Sequence, residues 1–324
     1  MNKLISILAT LALLLTSTSC SSDDNEGPSR DHDITASFSM LNHVYDQSAK
    51  QAGPLTTEET SFTLHRAAID KMNVDLTLRV TVAKGDTRNI KLTGVPVKYD
   101  EATGRYTINA ATTADNSISD LNGTIDFNES AMLLDYTVDG HYRVMATQPQ
   151  VFYTKSNSVL TYSDNTSFAD NAAVYQFDID PKTMTATFTL GGLLVSQIDT
   201  KFTTIKSEGI KITVTQDGYT LAADKPKTIS KYKHGETFTD GPVEATQWRC
   251  TKCGHVFDDP IKPTACTSCN NPEATFVRVD QLFPITGFQA TISLKDHTHN
   301  TTFTMGDALQ GINPFKVNAH GNVY

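Results

Sequence analysis

Beyond residue 15 the sequence has no apolar run that approaches membrane-spanning length. A spanning helix needs about 20 such residues, so the body reads as a soluble unit rather than a helical membrane protein. A positive charge balance is also missing. Against 27 Lys+Arg stand 36 Asp+Glu, a net charge of −9, which argues against nucleic acid as a partner. There is no Gly-x-Ser-x-Gly elbow and no phosphate-cradling glycine loop. The scattered carboxylates form no pair readable from sequence, so no enzyme class stands out and a non-catalytic role is expected. Sustained 3.6-residue periodicity is absent from every uncapped segment. At 324 residues and 39% hydrophobic composition there is nevertheless material for two cores.

What is present begins at the N-terminus. Lys3 precedes the apolar run Leu4–Leu15, followed by Thr16, Ser17, Thr18, Ser19 and then Cys20, the charge, core and small-residue order of a secretory signal. A cysteine directly after the small residues is what lipid attachment at Cys20 requires. Ser17 departs from the aliphatic residue usual in such lipoboxes, so ordinary secretory cleavage stays open. Residues 1–19 are thus expected to be a signal peptide and 20–33 a lipidated, disordered tether. Removing Lys3 with the signal takes the net charge from −9 to −10. The acidic stretch Ser21–Pro28 resembles the surface-export tag of Bacteroidetes lipoproteins. That resemblance implies the outer-membrane surface, with a plain solvated spacer and a periplasm-facing protein as the alternatives.

From about Ile34 the chain alternates apolar and polar residues, as in Val74–Val82 and Thr185–Leu190. Period two, rich in Thr, Val, Ile and Tyr, marks half-buried strands. Turn signals at Lys84-Gly85-Asp86 and Gln216-Asp217-Gly218 separate them. Four blocks then recur in one order: Gly94–Tyr99 with Gly209–Val214, Tyr106–Ala110 with Tyr219–Ala223, Leu121–Phe127 with Phe288–Leu294, and Tyr142–Ala146 with Phe315–Ala319. They indicate a duplication, a first β repeat at 34–147 and a second at 148–324. Ala110 to Leu121 is 11 residues and Ala223 to Phe288 is 65, so the difference of 54 falls in one connection. That places an insertion at 226–284, where a surface loop tolerates extra length. The expected class is all-β, two tandem antiparallel repeats, each a sandwich or a small barrel. The patterning faintly resembles calycin-like modules of such surface lipoproteins.

The other four cysteines all lie inside the insertion, in a knuckle at 246–278. Cys250-x-x-Cys253 and Cys266-x-x-Cys269 are separated by twelve residues. Two short hooks of this kind supply four thiolates to one tetrahedral ion. Gly254 and Asn270, which tolerate positive φ, sit where each hook must double back, and such a turn aims backbone N–H groups at the sulfurs.

Trp248, Cys250-x-x-Cys253-Gly254, Pro263, the second pair, Pro272 and Phe276 resemble the rubredoxin-like C-terminal module of rubrerythrins. The resemblance covers about thirty residues. It implies that Cys250, Cys253, Cys266 and Cys269 hold one zinc or iron ion, with Trp248, Val256, Phe257 and Phe276 packed around it. His255 departs from the aromatic residue often found there. None of the nine Glu residues has a His three positions later, so the di-iron half of a rubrerythrin is missing. Structural zinc, redox-active iron and two disulfides are the three readings of the cluster.

His297-Thr298-His299 would place two imidazoles on one face of a strand, half a metal site, but its polar flanks read as a hairpin tip. Gly192 reads as a bend. Together these features suggest a surface lipoprotein, joined to the membrane through Cys20, that binds a protein, glycan or small molecule and stiffens a long loop with metal. An extracytoplasmic electron carrier is the alternative.

Overall fold

The computed structural model describes residues 33–66, 72–112, 118–148, 150–196, 200–234, 247–258, 261–278, 283–306 and 313–323. The expected signal peptide, Cys20 and nearly all of the expected tether fall outside the described residues. Among the described residues every regular element is a β-strand apart from short turns. Two compact units divide the chain, Met1–Ala49 with Thr56–Pro149 and Lys50–Leu55 with Gln150–Tyr324.

The first unit is a closed antiparallel barrel of eight strands in sequence order: β1 (Ile34–Asp46), β2 (Gln51–His65), β3 (Asn73–Ala83), β4 (Asp86–Asp100), β5 (Arg105–Thr112), β6 (Ile118–Asp126), β7 (Ala131–Val138) and β8 (Tyr142–Gln148). Pairing of Val44 in β1 with Val144 in β8 closes the ring. Alternate residues of β3 are buried, as period two requires. They join Phe38, Phe62, Leu134 and Tyr136 in a filled interior, the usual state of a barrel of this size.

The second unit repeats this plan with β9 (Val151–Thr161), β11 (Val174–Asp180), β12 (Thr185–Gly191), β14 (Thr200–Thr215), β15 (Gly218–Ala223), β20 (Ile285–Ser293), β21 (Thr298–Met305) and β22 (Phe315–Asn322). Val317 in β22 pairs with Leu160 in β9 and closes the ring. Both repeats are therefore barrels rather than sandwiches. Tyr175, Phe177, Phe188, Phe288 and Phe303 fill the second interior at 1% exposure or less, with Phe188 and Phe288 ring centroids 4.9 Å apart. The short strands β10 (Ser167–Asp170) and β13 (Leu194–Val195) pair with β9 and β14, and β16 (Lys227–His234) with β14.

The duplication extends to register. Val97↔Ile108 matches Ile212↔Leu221, and Ile108↔Gly123 matches Leu221↔Ala290. Between β3 and β4 the register shifts after Val74↔Val95, and between β12 and β14 after Ala186↔Ile210. Beside these shifts sit Gly94 at φ 64° and Gly209 at φ 74°, a left-handed conformation in which glycine avoids a Cβ penalty. A second shared bulge carries Asp120 at φ 55° in β6 and Gly287 at φ 58° in β20.

Candidate metal centre

The connection from β16 to β20 carries a small sheet of its own, β17 (Gln247–Cys250), β18 (Val256–Asp258) and β19 (Phe276–Arg278), in the order β18-β17-β19. Cys250 ends β17 and pairs with Phe276 of β19, while Arg249 pairs with Val256. The sheet thus holds one hook against the residues that follow the other.

The two hooks share one geometry. Gly254 N–H donates to Cys250 O at 2.9 Å, and Asn270 N–H donates to Cys266 O at 2.9 Å. Gly254 has φ 77° and Asn270 φ 47°, the positive values that the turn demands. Cys250 N–H closes the first hook on His255 O at 2.9 Å. Between the hooks, the Thr251 hydroxyl lies 2.8 Å from that of Thr275, and Lys252 Nζ is 3.2 Å from Glu273 Oε2.

These hooks bring the four sulfurs within 4.8 Å of one another. Cys250 Sγ lies 3.9 Å from Cys269 Sγ, and Cys253 Sγ 3.6 Å from Cys266 Sγ. A tetrahedron of about 2.3 Å zinc–sulfur bonds has edges of about 3.8 Å, which these two spacings match, so the cluster could bind one metal ion. A disulfide needs about 2.05 Å, and all four cysteines are free thiols.

Cys250 and Cys266 are buried at 1%, Cys269 is half-buried and Cys253 exposed. Burial opposes ionisation of Cys250, yet N–H groups of Cys253 and Lys252 aimed at its sulfur bring the thiol down to about 7. The Asn271 N–H likewise favours the Cys269 thiolate, but burial and the three neighbouring sulfurs push it up to about 12. The pocket favours its first thiolate and resists its last, so full ionisation needs a cation among the sulfurs.

Trp248, Phe257 and Phe276 pack on the cluster as expected, the last two with ring centroids 5.6 Å apart. Val256 does not: it is 42% exposed, because its place opposite Arg249 turns it to the outer face of the small sheet. The His255 ring sits 4.7 Å from Phe257.

The two histidines of His297-Thr298-His299 part company. His297 lies exposed in the turn at φ 53°, as a hairpin tip would, whereas His299 is wholly buried inside the second barrel. There Ser156 Oγ is 2.7 Å from His299 Nε2, and Thr301 Oγ1 is 3.0 Å from Nδ1. In the first barrel the matching interior positions of His299 and Thr301 hold Met132 and Leu134. Gly321 leaves room for this cluster, since a Cβ there would come within 2.6 Å of Ser156 Oγ.

No family model and no curated protein matches the sequence. Among solved structures, one described as an outer membrane protein of Bacteroides fragilis aligns at 14% identity and TM-score 0.31, covering 89% of this chain and 97% of its own. The isotype 1 transferrin binding protein B from serogroup B Neisseria meningitidis aligns at 10% identity and TM-score 0.22, covering 91% and 77%. At these scores the reading of the chain rests on its own residues.

Proposed function

We propose that the chain is a non-catalytic lipoprotein, held at the outer-membrane surface through Cys20, that binds a partner or ligand on the outside of its barrels. One zinc ion on Cys250, Cys253, Cys266 and Cys269 would stiffen the long connection of the second repeat. The observation that carries the metal reading is the convergence of four sulfurs within 4.8 Å, two of their spacings being 3.6 and 3.9 Å. Filled interiors in both units support recognition on outer surfaces and loops rather than inside a barrel. The small apolar core of the knuckle supports a structural role, because metal and packing then fold it together.

Limited proteolysis with and without a chelator tests the structural role. Chelation should expose cleavage sites within 246–278 and leave both barrels intact, whereas unchanged protection without metal would contradict it. For the anchor, Cys20→Ser should release the protein from membranes, and retention of the variant there would refute lipid attachment.

A second reading, an electron carrier with iron in the same sulfurs, draws on the exposure of Cys253. An exposed ligand gives an electron a short path to a partner. Iron in natively purified protein, with a visible spectrum bleached by dithionite, would favour it over zinc.

A further inference from the structure

Apart from the knuckle, the second barrel has a groove on its outer side. It begins where β15 gives way to β16. Lys211 pairs with Ala222, and ladder pairing with β14 resumes at Glu208↔Lys227. Two residues of β14, Gly209 and Ile210, thus face the four residues 223–226. Pro226 has no N–H to offer a ladder, and the surplus residues arch away. Gly287 N–H holds the arch by donating to Asp224 O at 2.7 Å. Between arch and strand lies a concavity of about 610 Å³, within the roughly 300–1,000 Å³ of small-molecule sites.

The first repeat differs in sequence at the described residues that match this place. There Asn109 pairs with Asn122, and their amides bridge at 2.9 Å. In the second repeat the same register pair is Ala222↔Gln289. No amide bridge can form there, and Gln289 stands exposed at the edge of the groove. Lys211 likewise stands where the first repeat has Pro96.

The groove is cationic on a chain of net charge −9. Lys211, Lys225 and Lys227 line it. Glu208 is occupied by Lys206 at 2.8 Å and by Lys227 at 3.6 Å. Among the described residues neither Lys211 nor Lys225 has a carboxylate partner. Two ammonium groups, a free amide and the Asp224 carboxylate on one wall suit a ligand with an anionic group and several hydroxyls. Gly209 has open space where a side chain would stand, so a flat ring can approach the strand. A long polyanion would meet the acidic remainder of the chain, whereas a short one stays within about 8 Å, the physiological screening length.

We infer that this groove binds a short acidic saccharide, its carboxylate or phosphate held by Lys211 and Lys225 and its hydroxyls by Gln289 and Asp224. The inference rests on the ligand-binding reading above and supplies its ligand class.

Calorimetric titration of the full mature chain with digalacturonate, neutral digalactose and inorganic phosphate tests it. Saturable binding of the acidic disaccharide, weakened by added salt and at least tenfold by Lys211→Ala/Lys225→Ala, is expected, with little response to the neutral sugar. Lys91→Ala, in the first repeat, serves as control, and thermal melts verify that each variant folds. Absence of digalacturonate binding, or binding untouched by the double variant, would overturn the site. Phosphate binding as tight as the disaccharide would overturn the saccharide class. None of these outcomes touches the anchor or the metal, so the groove can fail while the broader reading stands.

Discussion

Inside the second barrel the His299 imidazole is enclosed by Tyr175 and Phe177, with ring centroids at 5.4 and 5.2 Å. Burial, helped by nearby His320, pulls its pKa from 6.5 down to about 4. Protonation therefore favours the unfolded chain, where the imidazole titrates normally. The contribution is whole above about pH 6.5 and is lost as pH falls toward 4, on the order of 3 kcal/mol in all. Melting temperature of the second barrel should drop over that window, and His299→Met, which copies Met132, should flatten the slope; an equal slope in the variant would show that other groups cause it. At Asn270 the positive φ should tolerate Gly, whereas Asn270→Ala should cost about 1 kcal/mol and weaken metal retention, readable by competition with a chromophoric chelator. That the four cysteines come together was legible from spacing alone. His299 was not, because a polar residue facing inward breaks the alternation by which inward positions are recognised.

At the scale of elements, strand positions followed from period two, and the four repeated blocks match pair for pair in register. Closure was beyond such reading, since β1 meets β8 and β9 meets β22 at opposite ends of each repeat, and local alternation carries no information about distant partners. The extra strand β16 was hidden inside the expected insertion for a related reason: Pro226 just before it reads as a break. The shared bulges give a direct test. Asp120 holds a left-handed conformation that its counterpart Gly287 adopts without a Cβ, so Asp120→Gly should stabilise the first barrel by up to about 1 kcal/mol. Gly209→Ala meets open space and should cost about 1–2 kcal/mol from backbone strain alone. Denaturant midpoints measure both, and a stabilised Gly209→Ala would refute the strained bulge.

Across the whole molecule, two barrels share one design and have diverged in what they carry. The first has Met132 and Leu134 where the second has His299 and Thr301, and an asparagine bridge on its wall. The second has a polar cluster within, an open cationic groove outside, and the knuckle in the same connection that forms the groove. The added segment leaves the eight-strand ring intact. The central claim is that this added segment is organised by one ion among four thiolates. Native mass spectrometry of protein purified without added metal or chelator tests it most directly. The account requires a mass increased by a single divalent ion, lost on acid denaturation together with recovery of four free thiols. A metal-free mass lacking four hydrogens, the signature of two disulfides, would contradict it.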